Sequence, residues 1–165
     1  MDNNHQSQHF SEEIRDRIDD TLARKDVELL NELYRNTQIG KLAIESVVKR
    51  TDREDFRGEL LSHYDGFDAL GNKIVGEMTK RNVTPKSPGY FKNLMLKTAI
   101  GVNSIMDDTV SNLADMVIKG NNTGITDINK MLNDFGESAD ESTHSLAMEL
   151  LRMQQSNIDS LKPYL

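Results

Sequence analysis

The segment Leu113-Ala-Asp-Met-Val-Ile-Lys-Gly-Asn-Asn-Thr-Gly-Ile-Thr-Asp-Ile-Asn-Lys-Met-Leu-Asn-Asp-Phe135 decides between long helices and short helices joined by loops. Its apolar and small residues recur at steps of three and four, at positions 113, 117, 120, 124, 128, 131 and 135. This is the spacing of one helix face. The phase is kept across Gly120-Asn-Asn-Thr-Gly124, although a glycine inside a helix costs about 1 kcal/mol relative to alanine. The pattern predicts one helix over about 108–134, with glycines that admit a neighbouring helix; a break at 120–125 is the alternative.

Helical spacing of apolar residues predicts three further long helices, over about 26–50, 53–81 and 139–162. Two of these begin with the sequence of a capping box, Thr51-Asp-Arg-Glu54 and Ser138-Ala-Asp-Glu141. Asp26 is a suitable N-cap for the remaining one. No run of residues alternates between apolar and polar as a strand does. The sequence therefore predicts an all-α fold.

The segments outside the four long helices differ in character. Residues 1–9 are polar and are predicted to be disordered, and Phe10, Ile14, Ile18 and Leu22 predict a short amphipathic N-terminal helix. Residues 82–107 connect the second and third long helices and include a predicted helix over about 90–106. Residues 10–165 are expected to form a single domain.

Composition excludes several classes of function. The 165 residues carry a net charge of −7 and include no cysteine. Disulfides, cysteine-bound zinc, iron–sulfur clusters and thiol chemistry are therefore excluded. The charge is spread along the chain without a basic face, so nucleic acid is not an expected partner. No apolar run is long enough to span a bilayer, and no export signal is recognised at the N-terminus, so a cytoplasmic protein is expected.

Two segments carry a resemblance to a known superfamily: Leu33-Tyr-Arg-Asn-Thr-Gln-Ile-Gly-Lys-Leu-Ala43 and Leu150-Leu-Arg-Met-Gln-Gln-Ser-Asn-Ile-Asp-Ser-Leu161. With four long helices and one long connection between the second and third, the chain resembles the ferritin-like superfamily over about residues 26–162. It is most similar to small bacterial members that lack an intact di-iron motif. The resemblance implies an antiparallel four-helix bundle with a long crossover.

The resemblance also implies where metal ligands would stand. Metal-binding members use one Glu from each of two helices and a Glu-x-x-His pair from each of the others. On the second helix the matching pair falls near Tyr64 and Phe67, and on the other helices the matching positions hold neutral amides: Gln38, Asn121, Gln154 and Asn157. Neutral amides do not balance the charge of two iron ions. These four residues are therefore expected to form a hydrogen-bonded polar core at a former metal site.

A displaced metal site is the second interpretation. His63 lies on the apolar face of its helix, Glu59 precedes it by one turn, and Glu45 is expected near the start of that helix. Together these three could bind iron or manganese. The simpler alternative is a histidine at the edge of the core, hydrogen-bonded to Glu59. A literal Glu-x-x-His occurs at Glu141–His144, but Glu141 also has the capping position there.

No catalytic motif is recognised: there is no argued Ser-His-Asp arrangement and no phosphate loop. The sequence thus favours a non-catalytic ferritin-like bundle without a cofactor, acting through self-association, with a dimer favoured, or through a partner. The alternative is a ferritin-like protein that binds iron or manganese and acts in oxidative stress. A ferritin relative that shields DNA is a third class, and the acidic charge counts against it.

Overall fold

The computed structural model describes residues 3–87, 89–91, 93, 107–135 and 139–165, with the side chains described from residue 12 onward. Most of its described residues are helical and none lies in a strand, which confirms the all-α prediction. The long helices are α1 (Asn3–Val48), α2 (Glu54–Lys80), α3 (Val110–Phe135) and α4 (Glu141–Leu161), and a short 3-10 helix (Lys162–Tyr164) follows. The bounds of α2, α3 and α4 lie within two residues of the predicted ones.

Helix α3 runs without a break through Gly120 and Gly124, as the phase of its apolar face predicts. The two glycines have different surroundings. A Cβ atom at Gly124 would overlap the side chain of Gln154 and lie 3.0 Å from the Nδ2 of Asn36, whereas a Cβ at Gly120 would meet no described atom within 4 Å. The expected close approach of a neighbouring helix is therefore found at Gly124, and the same expectation for Gly120 is wrong.

Helix α1 differs most from the prediction. It is a single helix of 46 residues that includes positions 3–9, which were expected to be disordered, and continues through Asp26, which was expected to begin a new helix. No glycine occurs before Gly40 and no proline before Pro85, so nothing in this stretch interrupts a helix. Asp26 lies inside α1 with only 4% of its surface exposed.

Each long helix packs mainly against two others, and α1 and α4 also contact each other. Helix α1 lies against α2 and α3, and α4 lies against α3 and α2. The apolar residues form two clusters along the helices. The first apolar cluster contains Leu29, Leu30, Leu33, Tyr34, Phe67, Leu70, Ile74, Met78, Phe91, Ile128, Leu146, Ala147 and Leu150. The second contains Ile44, Val47, Val48, Phe56, Leu60, Leu113, Ala114, Val117 and Leu161.

The two described ends of the connection between α2 and α3 lie at opposite ends of these helices. Arg81, just after α2, donates from Nε to Asp26 Oδ2 at 2.8 Å, which places the start of the connection near the middle of α1. Arg50, just after α1, donates from Nε to Asp108 Oδ1 at 2.6 Å, which places the end of the connection beside the C-terminus of α1. Most of the predicted helix 90–106 lies outside the described residues.

The helix starts differ from the predicted capping boxes. Arg53 is the N-cap residue of α2, and Thr51 Oγ1 accepts from the backbone N–H of Arg53 at 3.3 Å instead of that of Glu54. Asp140 is the N-cap residue of α4, and its own N–H donates to Asp26 Oδ1 at 2.9 Å. Ser138, the predicted cap of α4, lies outside the described residues. A buried carboxylate on α1 therefore replaces a local cap at the start of α4.

The contrast between the two glycines of α3 gives a first prediction. Gly124→Ala should lower the free energy of unfolding by about 1–3 kcal/mol, because the added methyl group must displace buried amide side chains. Gly120→Ala should raise it by about 0.5–1 kcal/mol, because the glycine is helical and its new Cβ meets open space. Urea denaturation of both variants measures the difference, and equal effects would contradict the described packing of Gly124.

Candidate functional site

A layer of polar side chains lies between the two apolar clusters. It consists of one or two residues from each long helix, all less than a tenth exposed: Asn36, His63, Asn121, Gln154 and Asn157. We call this set the polar layer. Buried polar groups are costly unless hydrogen-bonded, so the partners of each side chain decide what the layer can do.

An amide–amide contact joins α4 to α1. Gln154 Nε2 donates to Asn36 Oδ1 at 2.8 Å, and Asn36 Nδ2 donates to the backbone carbonyl of Gly124 at 3.3 Å. The contact is possible because residue 124 has no Cβ: a side chain there would occupy the position of the Gln154 amide. Three helices therefore meet at one pair of side chains.

A second pair of amides joins α4 to α3. Asn157 Nδ2 donates to Asn121 Oδ1 at 3.5 Å, the upper limit for a hydrogen bond. Asn121 Nδ2 in turn donates to the carbonyl of Val117, one turn earlier in the same helix, at 2.9 Å. The amide donors of the polar layer are thus directed at protein acceptors.

Three of the four residues expected in the polar core, Asn121, Gln154 and Asn157, lie in this layer, and Gln38 does not. Gln38 is half-buried, with its Nε2 3.3 Å from the position that a Cβ would take at Gly71. Residues two apart differ by about 200° around a helix, so Asn36 and Gln38 cannot share the inward face. Asn36 is the α1 residue of the layer, and the family pattern had assigned that place to Gln38.

His63 is the contribution of α2 to the layer. Its Nε2 lies 3.0 Å from Glu59 Oε1 and 2.9 Å from Ser160 Oγ. Ser160 uses its own hydrogen on the carbonyl of Asn157 at 3.1 Å, so the proton between serine and histidine belongs to His63 Nε2. Burial lowers the pKa of His63, opposed by the nearby Glu59 carboxylate. His63 is therefore a neutral imidazole that donates from Nε2.

The residues proposed for a displaced metal site do not all meet. Glu59 and His63 are in contact, but Glu45 is exposed on α1. In the described part of the chain, no three histidine or carboxylate side chains gather as a metal ion would require. Glu141 and His144 are both exposed at the start of α4, away from the layer.

Two buried acceptor atoms of the layer have no hydrogen-bond partner among the protein atoms: Gln154 Oε1 and His63 Nδ1. The hydrogen bonds of the layer contribute to the alignment of the helices, because only one register brings the amides together.

A second polar cluster, at the end of α2, was not anticipated. Asp26 accepts from Arg81 Nε and from the N–H of Asp140, and Arg81 Nη2 donates to Asp140 Oδ2 at 2.9 Å. Arg81 Nη1 also donates to Glu77 Oε2 at 2.8 Å, and Lys80 and Arg81 lower the pKa of Glu77 to about 2. The sequence held one sign of this cluster. Asp26 lies four positions after Leu22 and four before Leu30, so its carboxylate shares a helix face with apolar residues of α1.

Comparison with known proteins adds no relative. No family model, no curated protein and no solved structure matches the chain. None of the described helices is long and apolar enough to cross a membrane. What the chain does must therefore be inferred from the polar layer and from the surfaces of the helices.

The neutral state of His63 gives a second prediction. Its folded-state pKa lies below the unfolded value of about 6.5, so the unfolded state takes up the proton first as the pH falls. The contribution of neutral His63 to the free energy of unfolding should be fully present above that value and should decrease as the pH falls below it. His63→Gln should remove this part of the pH dependence, measured by urea denaturation between pH 8 and pH 5.

The matched control is His144→Gln, because His144 is exposed. This variant should keep the wild-type pH dependence of the free energy of unfolding. An identical pH profile for wild type and His63→Gln would contradict the assignment of a buried neutral imidazole.

The cluster around Asp26 gives a third prediction. Asp26→Asn should lower the free energy of unfolding by about 1.5–3 kcal/mol, because it weakens hydrogen bonds that involve charged groups in a buried setting. Asp115→Asn removes a carboxylate that pairs with the exposed Lys119, and should change stability by less than about 0.5 kcal/mol. Thermal and urea denaturation compare the two, and equal effects would contradict a structural role for Asp26.

Proposed function

We propose that the chain is a ferritin-like antiparallel four-helix bundle without a di-iron centre, which acts in the cytoplasm through self-association or a protein partner and not by catalysis. The observation that carries this proposal is the polar layer. In this layer, amide side chains from three helices are hydrogen-bonded to one another and to backbone carbonyls. A metal-binding bundle would hold its ions in the corresponding place.

The packing order of the helices supports the bundle. Each long helix packs mainly against two others, with a smaller contact between α1 and α4. Asp26 of α1 pairs with Arg81, just after α2, whereas Lys41, further along α1, pairs with Asp68, earlier in α2. These two contacts support an antiparallel arrangement of α1 and α2. The long connection leaves α2 at Arg81, beside Asp26, and reaches α3 at Asp108, beside Arg50, so its two ends lie at opposite ends of the packed helices. These are features of ferritin-like topology.

The chemistry of the layer supports a non-catalytic role. The amide nitrogens of Asn36, Asn121, Gln154 and Asn157 all donate to protein acceptors. The carboxylate nearest to the layer, Glu59, accepts from His63. A paired-iron site needs several anionic ligands directed at one point, and uncharged amides engaged with one another do not provide them.

A second candidate is binding of iron or manganese at a displaced site, with a role in oxidative stress. It is favoured by one observation: His63 and Glu59 lie 3.0 Å apart, and the Nδ1 of His63 is without a partner. Two ligands are fewer than a stable protein site for these metals uses, since such sites combine several imidazole and carboxylate groups.

Metal analysis of the purified chain separates the two candidates. We expect no stoichiometric iron, manganese or zinc, either as isolated or after anaerobic incubation with ferrous iron and desalting. His63→Ala and His144→Ala are the matched pair, because one histidine is in the layer and the other is exposed. Stoichiometric metal that is lost in His63→Ala and kept in His144→Ala would overturn the proposal in favour of the second candidate.

A further inference from the structure

We draw no further inference here: the strongest candidate, the exposed apolar face that Ile14, Ile18 and Leu22 form on the first part of α1, carries nothing because nothing in the described part of the chain shows what covers it.

Discussion

The hydrogen bond between Gln154 and Asn36 constrains how the helices align, and it can form because Gly124 has no side chain. It joins α4 to α1 beside Gly124 of α3, with an apolar cluster on either side. Moving any of these helices by one turn would place an amide against aliphatic side chains, and a buried amide without a partner is costly. Apolar burial therefore supplies the driving force for folding, and the amides select one alignment of the helices.

Polar contacts also fix the two ends of the connection between α2 and α3. At one end Asp26 holds Arg81 and the start of α4, and at the other Arg50 holds Asp108 just before α3. These contacts therefore fix where the long connection leaves α2 and where it enters α3. Along the helix axes, polar contacts alternate with apolar clusters: the Asp26 contacts, the first cluster, the polar layer and then the second cluster.

Sequence reasoning gave the bounds of α2, α3 and α4 because their apolar residues keep a helical period, which is a local property. The unbroken course of α3 through Gly120 followed from the same period. The course of α1 through Asp26 was missed because the burial of this carboxylate depends on Arg81, 55 positions away. Asn36 was missed because a family pattern placed the amide at Gln38, and two positions decide which face of a helix a residue occupies.

The exposed stretch 12–24 and the buried part of α1 belong to one continuous helix, because α1 has neither proline nor glycine between its first residue and Gly40. From Arg24, the last residue of this exposed stretch, to Asn36 in the polar layer is about 18 Å of continuous helix. The outer half of this helix is therefore joined, without a helix break, to the side chain that Gln154 contacts. Any displacement of the outer half would reach the polar layer past Asp26, whose carboxylate contacts Arg81 and the start of α4.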